Sequence, residues 1–209
     1  MAFGASAQAP TRSAVLELRQ ERGVVQEAYG FLDEKRLLLA AELLHELQHY
    51  ESLWSNLQVL QAQATQALVQ AIAVHGLHGL SVYPATPLAG NGMRVRTRSF
   101  MGVTLVESSM EIGVNDAGEV ATENYPTPEA RQCRKHFQAL LQRGAELAGV
   151  SGNLQRLLVE YRKTERRARA IEDVILPEIE GSLKEMSERL EELDLEDAVR
   201  VRLDYGRAG

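Results

Sequence analysis

The segment His45-Glu46-Leu47-Gln48-His49 sets two histidines four residues apart with a glutamate beside the first. On a helix, histidines at that spacing share a face and can ligate zinc, with the glutamate as general base. Such a site needs a third ligand and a cleft. The G-x-x-H continuation is missing after His49, with Ser52 and Ser55 at those places, and no acidic residue occurs between Glu51 and Glu107. His75 and His78 are ligands by type, but on one continuous helix they lie roughly 40 Å further along. The expectation is therefore no zinc peptidase, no metal site and no catalytic residue. Other devices are missing too. There is no G-x-x-x-x-G-K-[ST] phosphate loop, no G-x-S-x-G elbow and no C-x-x-C, and His136 has no nucleophile partner. No cofactor is expected.

Charge is patterned along the chain. Arg94, Arg96 and Arg98 alternate with Met93, Val95 and Thr97. They form a basic strand face that can grip an acidic surface or be the wet side of a half-buried hairpin. Arg162, Lys163, Arg166, Arg167 and Arg169 make a basic block. The stretch from Glu172 to Asp197 is acidic, opposed only by Lys184 and Arg189. These blocks read as solvated faces, or as a surface patterned to meet a partner.

The elements that carry these residues are written in two long heptad runs. The first passes through Val15, Leu18, Val25, Tyr29, Leu32, Leu39, Leu43, Tyr50, Leu53, Leu57, Leu60, Ala64, Ala67, Ala71 and Val74. The second passes through Cys133, Phe137, Leu140, Leu147, Leu154, Leu158, Tyr161, Ala168, Ile171, Ile175, Ile179, Met186, Leu190 and Leu193. A sustained period of 3.5 puts a narrow apolar stripe on a helix and marks a coiled coil. Each stripe needs a partner, and the two can bury each other as an antiparallel pair. A helix from Thr11 to Val74 would be roughly 95 Å long, so a rod is expected. Arg22, Arg36, Glu46 and Glu165 interrupt the stripes and are expected to fix register.

Composition agrees. Aromatic residues are only 5% of the 209, as suits a two-helix seam rather than a wide interior. The net charge of −6 argues against nucleic acid as the main partner. The single cysteine, Cys133, excludes an internal disulfide and falls on the seam, where a small buried core residue is expected. No apolar stretch reaches the twenty or so residues that span a bilayer, so no direct membrane insertion is expected. Met1 to Pro10 lacks the features of a secretory signal. A cytoplasmic protein is expected, unless another subunit tethers it to a membrane.

The fold class is mainly α: a long antiparallel two-helix coiled coil with a small β-hairpin head in the middle. The divisions are a flexible leader over 1–10, an N-terminal helix over 11–76, and a head over 77–127. A C-terminal helix over 128–205 and a tail over 206–209 complete one structural unit. Thr11 supplies a helix cap, and Gly76, Gly79, Pro84 and Pro87 end the first helix. Met101-Gly102 turns the chain between two strands, the second running from Val103 to Ser109. Pro177 lies inside the second helix, where a bend is expected.

The stretch from Thr164 to Ile179 reads T-E-R-R-A-R-A-I-E-D-V-I-L-P-E-I. It resembles the R-R-V-N-A-L-E-x-V-x-I-P hallmark of the D subunit of V/A-type ATP synthases, with Arg166, Arg167, Glu172 and Pro177 as the matching shaft signature. Pro10-Thr11-Arg12 is similar to that family's amino-terminal P-T-R. Glu34-Lys35-Arg36 stands at its basic stretch, and Phe100-Met101-Gly102-Val103 looks like its central V-M-G-V turn. Two departures are Ala168-Arg169 in place of Val-Asn, and an ending from Asp197 to Tyr205 less basic than the family's.

The resemblance implies a non-catalytic central rotor shaft that couples ATP synthesis or hydrolysis to proton or sodium translocation. It implies three kinds of partner: the catalytic and regulatory nucleotide-binding subunits, the small F subunit of the central stalk, and an adaptor on the membrane rotor ring. Arg94, Arg96, Arg98, Met101 and Gly102 are the expected partner contacts in the head. The expected place is cytoplasmic and peripheral to the membrane, within the complex. The rivals are a prefoldin-like coiled-coil holdase and a generic coiled-coil tether, which leaves the Thr164–Ile179 match unexplained.

Overall fold

The computed structural model of the chain describes residues 11–81, 92–110 and 127–207. Helix α1 covers Arg12–Ser81, strands β1 and β2 cover Met93–Phe100 and Val103–Met110, and α2 covers Pro128–Ala170. A π-helical turn, Ile171–Ile175, leads into α3, Leu176–Arg207. The class is the mainly helical one that the heptads imply, with one antiparallel hairpin between long helices. The chain divides into two compact units: residues up to Leu38 with those from Arg162 onward, and Leu39–Tyr161.

In the first unit the start of α1 packs antiparallel to the C-terminal helix. Val15, Ile179 and Leu183 are buried together, flanked by Leu18, Val25, Ile175, Met186 and Leu190. Direction is fixed by two polar pairs: Arg12 donates to Asp194 at 3.1 and 3.2 Å, while Tyr29 hydrogen-bonds to Glu172. The half-buried Tyr29 phenol is held above the usual tyrosine range, first by that bond and then by desolvation. Thr11 caps α1, its Oγ1 accepting from the Ala14 N–H at 3.2 Å.

The helix continues past Pro177. The Leu176 N–H donates to the Ile171 carbonyl, five residues back. A proline offers no N–H to the carbonyl four residues before it and crowds that carbonyl. The wider turn just ahead relaxes the crowding, so the irregularity lies in residues 171–175.

In the second unit the rest of α1 packs antiparallel to α2. Leu53 is buried with Leu147 and Val150, and Ala67 and Ala71 with Cys133. Burial pushes the Cys133 thiol up, as suits a core residue. At Gly76 the α1 backbone takes φ 69°, a left-handed conformation that glycine adopts without strain, before a last helical stretch to Ser81. Gly79 lies inside that stretch, and Pro84 and Pro87 lie outside the described residues.

The seam corrects the heptad reading in detail. Phe137, Leu158, Leu193 and Val74 were expected inside and are exposed. Leu157, Asn153 and Thr164 are buried instead. A strict 3.5 period drifts by about 20° per heptad against an ideal helix. In the run Leu157-Leu158-Val159, that drift decides which neighbour faces in.

Candidate functional site

The hairpin is the place where polar chemistry converges. Its two-residue loop has Met101 at φ 49° and Gly102 at φ 83°, the pair of positive angles that a tight turn between twisted strands requires. The register sets Phe100 opposite Val103, Arg98 opposite Leu105, and Met93 opposite Met110.

The two strands are held differently. On β2, Val103 and Leu105 are buried with Leu39 of α1 and Leu157 of α2. The outer edge of β2 is closed by a side chain: the Val106 N–H donates to Asn153 Oδ1 at 2.7 Å, and Asn153 Nδ2 donates to the Val106 carbonyl at 3.0 Å. The amide of Asn153 thus stands in for a third strand's peptide group. Arg156 donates to the same Oδ1 at 2.7 Å. Next along the edge, Ser108 Oγ donates to the Ala145 carbonyl at 2.5 Å. Gly149 permits this approach, since a Cβ there would lie 2.3 Å from Ser108 Oγ.

On β1 every residue from Met93 to Ser99 is exposed. Phe100, at its end, packs against the Leu39–Leu157 cluster, and Arg98 reaches α1. Arg98 donates to Glu42 Oε1 at 2.5 Å and to Glu46 Oε1 at 3.4 Å, both on α1. The bond to Glu42 raises the Arg98 pKa further, so the cation is permanent. Glu46 is buried, and its Oε2 has no hydrogen-bond partner among the described residues. Of the four polar residues expected to fix register, Glu46 is the one that reaches across to another element. Arg36 pairs with Asp33 and Glu165 with Arg169, each within its own helix.

Two readings of β1 change. Arg98 sits opposite Leu105, so the arginine face is the side turned toward α1, while Met93 and Val95 are more than half exposed. Arg98 does grip an acidic surface, and that surface belongs to its own chain. The cause is the Glu42–Glu46 pair, 52 residues and more away in sequence. Arg94 and Arg96 continue the same face of the strand, Arg96 directly across from Glu107 of β2.

The H-E-x-x-H segment is also accounted for. Glu42, His45 and Glu46 bring donor atoms within 4.8 Å of one another, and among the described residues no such group includes His49. Both glutamates already hold the Arg98 guanidinium, a cation placed where a metal ion would have to enter. The shaft-signature residues Arg166, Arg167, Glu172 and Pro177 are all exposed, while Thr164, Ala168 and Ile179 of the same stretch are buried. The hairpin contacts belong to one unit and the signature to the other. A surface cleft of about 690 Å³ beside Met110 is lined by Val59, Leu60, Gln63, Gln142, Arg143 and Glu146, the last two paired with each other at 2.7 Å. Among the described residues no helix is long and apolar enough to cross a membrane.

Sequence reasoning missed Asn153, Ser108, Gly149 and Glu42. Only Glu46 left a trace, as a polar residue on an apolar stripe.

Comparison with known proteins decides the relationship. The family model for the D subunit of ATP synthase matches residues 14–203. The chain belongs to that family. It is 27% identical to the V-type ATP synthase D subunit of Thermotoga neapolitana, over 93% of this chain and 95% of the relative. It is 26% identical to the A-type ATP synthase D subunit of Pyrococcus abyssi, over 92% and 91%. It is 28% identical to the V-type ATP synthase D subunit of Anaeromyxobacter dehalogenans, over 93% of each. The family is a non-catalytic component of the rotary ATPase, consistent with a hairpin site built of structural pairs.

Proposed function

We propose that this chain is the central-stalk shaft of a V/A-type ATP synthase or ATPase. It couples ATP synthesis or hydrolysis in a ring of nucleotide-binding subunits to proton or sodium translocation. The observation that carries the reading is the family match across residues 14–203 of a chain whose two units each contain an antiparallel helix pair. Its action is mechanical: an asymmetric surface makes different contacts with each surrounding catalytic subunit and biases their conformations in turn. The exposed charges of the signature stretch, Arg166, Arg167 and Glu172, with Pro177 and the wide turn before it, supply such asymmetry. Of the hairpin residues Arg94, Arg96, Arg98, Met101 and Gly102, Arg98 holds β1 to α1 and the others meet the remaining stalk partners. Those partners are the small F subunit and the adaptor that seats the stalk on the membrane ring. The chain works on the cytoplasmic side, held to the membrane through these neighbours.

Affinity purification of the tagged chain from its native membranes, followed by mass spectrometry, tests this. Recovery of the large nucleotide-binding subunits with a small central-stalk protein is the expected result. Recovery of unfolded clients, or of the chain alone from the soluble fraction, rejects it.

A further inference from the structure

The pairing of Val106 with Asn153 fixes which way the backbone of β1 points. In an antiparallel ladder, residues directly opposite each other alternate between facing inward to exchange hydrogen bonds and facing outward. The Val106 N–H and carbonyl are both engaged by Asn153 on the far side from β1. Val106 and its partner Thr97 are therefore an outward-facing pair. By the two-residue period, Val95 and Ser99 also direct their N–H and carbonyl groups away from β2. The sheet has two strands, so β1 presents a row of backbone donors and acceptors to which no strand pairs among the described residues.

The side chains along this edge say what it would accept. Met93 and Val95 are 54% and 53% exposed and give one face an apolar character. Arg94 and Arg96 lie on the other face, Arg96 directly across from Glu107 of β2, and no acidic residue occurs in β1 itself. Edge strands are commonly protected by charges that repel a neighbouring strand of like charge. Arginines protect in that way against a basic strand and attract an acidic one. We propose that β1 is a docking edge that takes up, as a third strand, an extended segment of a partner protein with acidic and apolar residues in alternation. Main-chain hydrogen bonds supply the pairing, a carboxylate meets Arg96, and apolar residues lie beside Met93 and Val95.

The test uses the purified full chain and, as probe, a short synthetic peptide alternating glutamate and valine, with an alternating lysine–valine peptide for comparison. Amide exchange is read residue by residue. With the acidic peptide, exchange at Val95, Thr97 and Ser99 is expected to slow at least about tenfold, while Arg96 and Arg98, already in the ladder, change little. Thr97→Pro removes one outward donor and leaves the β1–β2 ladder intact. It is expected to abolish the protection at Val95 and Ser99 while Arg98 keeps its own. Unchanged exchange with the acidic peptide, equal protection by the lysine peptide, or full protection in Thr97→Pro overturns the proposal. This inference stands apart from the stalk reading: the probe needs no other protein of the complex, so either can fail while the other holds.

Discussion

The two strands of the hairpin share one ladder and live in opposite environments. β2 is embedded: its apolar side chains fill the core between α1 and α2, and the amide of Asn153 closes its outer edge. β1 is displayed from Met93 to Ser99, with Phe100 packed against the core at its turn end and Arg98 tied to α1. A two-stranded sheet alone is marginal in water. Here one strand is anchored so that the other can be held out. A protein that meets several partners gains from this division, because the displayed strand can vary without loosening the fold.

The largest test of this contrast is a matched pair of truncations. Leu105→Ala empties a fully buried position and is expected to cost about 3 kcal/mol in urea denaturation. Val95→Ala, on the exposed strand, is expected to cost less than about 0.5 kcal/mol. Equal losses would mean that β1 contributes to the core as β2 does.

The next test removes the edge closure. Asn153→Ala leaves the Val106 N–H and carbonyl without their partners in a buried place, which costs about 2 kcal/mol. Asn153→Asp is the sharper variant: it keeps an acceptor for the N–H but sets a carboxylate oxygen against the carbonyl. It is expected to be at least as destabilising as alanine. Both should speed amide exchange at Val106 while leaving Thr97, already facing outward, unaffected.

These two tests fall on opposite sides of what can be read from sequence. Leu105 belongs to an alternating apolar pattern, and such patterns announce burial through their period. The long helices and the Met101-Gly102 turn were legible for the same reason: each follows from a local rule of spacing or backbone angle. Asn153 follows no such rule. A polar residue inside a heptad run reads as surface, and its use as a substitute peptide group depends on a strand 47 residues away. Arg98 shows the same gap. Alternation fixed its face, but the sign of that face depended on Glu42 and Glu46, which no spacing connects to it. The exchange of Leu158 for Leu157 is a third kind of miss, arising because a drift of about 20° per heptad accumulates along the run until the neighbouring residue faces in.

A smaller effect is expected where the strand and helix touch most closely. Gly149→Ala gains about 1 kcal/mol of helix propensity. It also sets a methyl 2.3 Å from Ser108 Oγ and 3.2 Å from the Ser108 backbone nitrogen. Overpacking of that kind costs about 1–3 kcal/mol, so a net loss of about 1 kcal/mol is expected. In Ser108→Ala the nearest atoms to that methyl would be at 3.2 Å. The double variant should therefore be more stable than the sum of the single changes predicts, by about 1 kcal/mol. Strict additivity would show that α2 and β2 are not in close contact in solution.

The smallest difference lies within β1 and asks whether the Arg98 tie matters. Arg98 and Arg96 share a face, a type and a strand, and differ in that Arg98 reaches Glu42 and Glu46. Breaking a buried ion pair costs about 3–5 kcal/mol when the remaining charge is stranded. Arg98 is 44% exposed and Glu42 15%, so water screens much of the pair; only Glu46 is truly enclosed. Arg98→Met is therefore expected to cost about 1 kcal/mol and Arg96→Met close to nothing. Adding Glu46→Gln to Arg98→Met should recover part of the loss, because the amide no longer strands a charge. If Arg98→Met is neutral and Glu46→Gln brings no recovery, Glu46 has another route to solvation, and the Arg98 pair does not hold β1 in place.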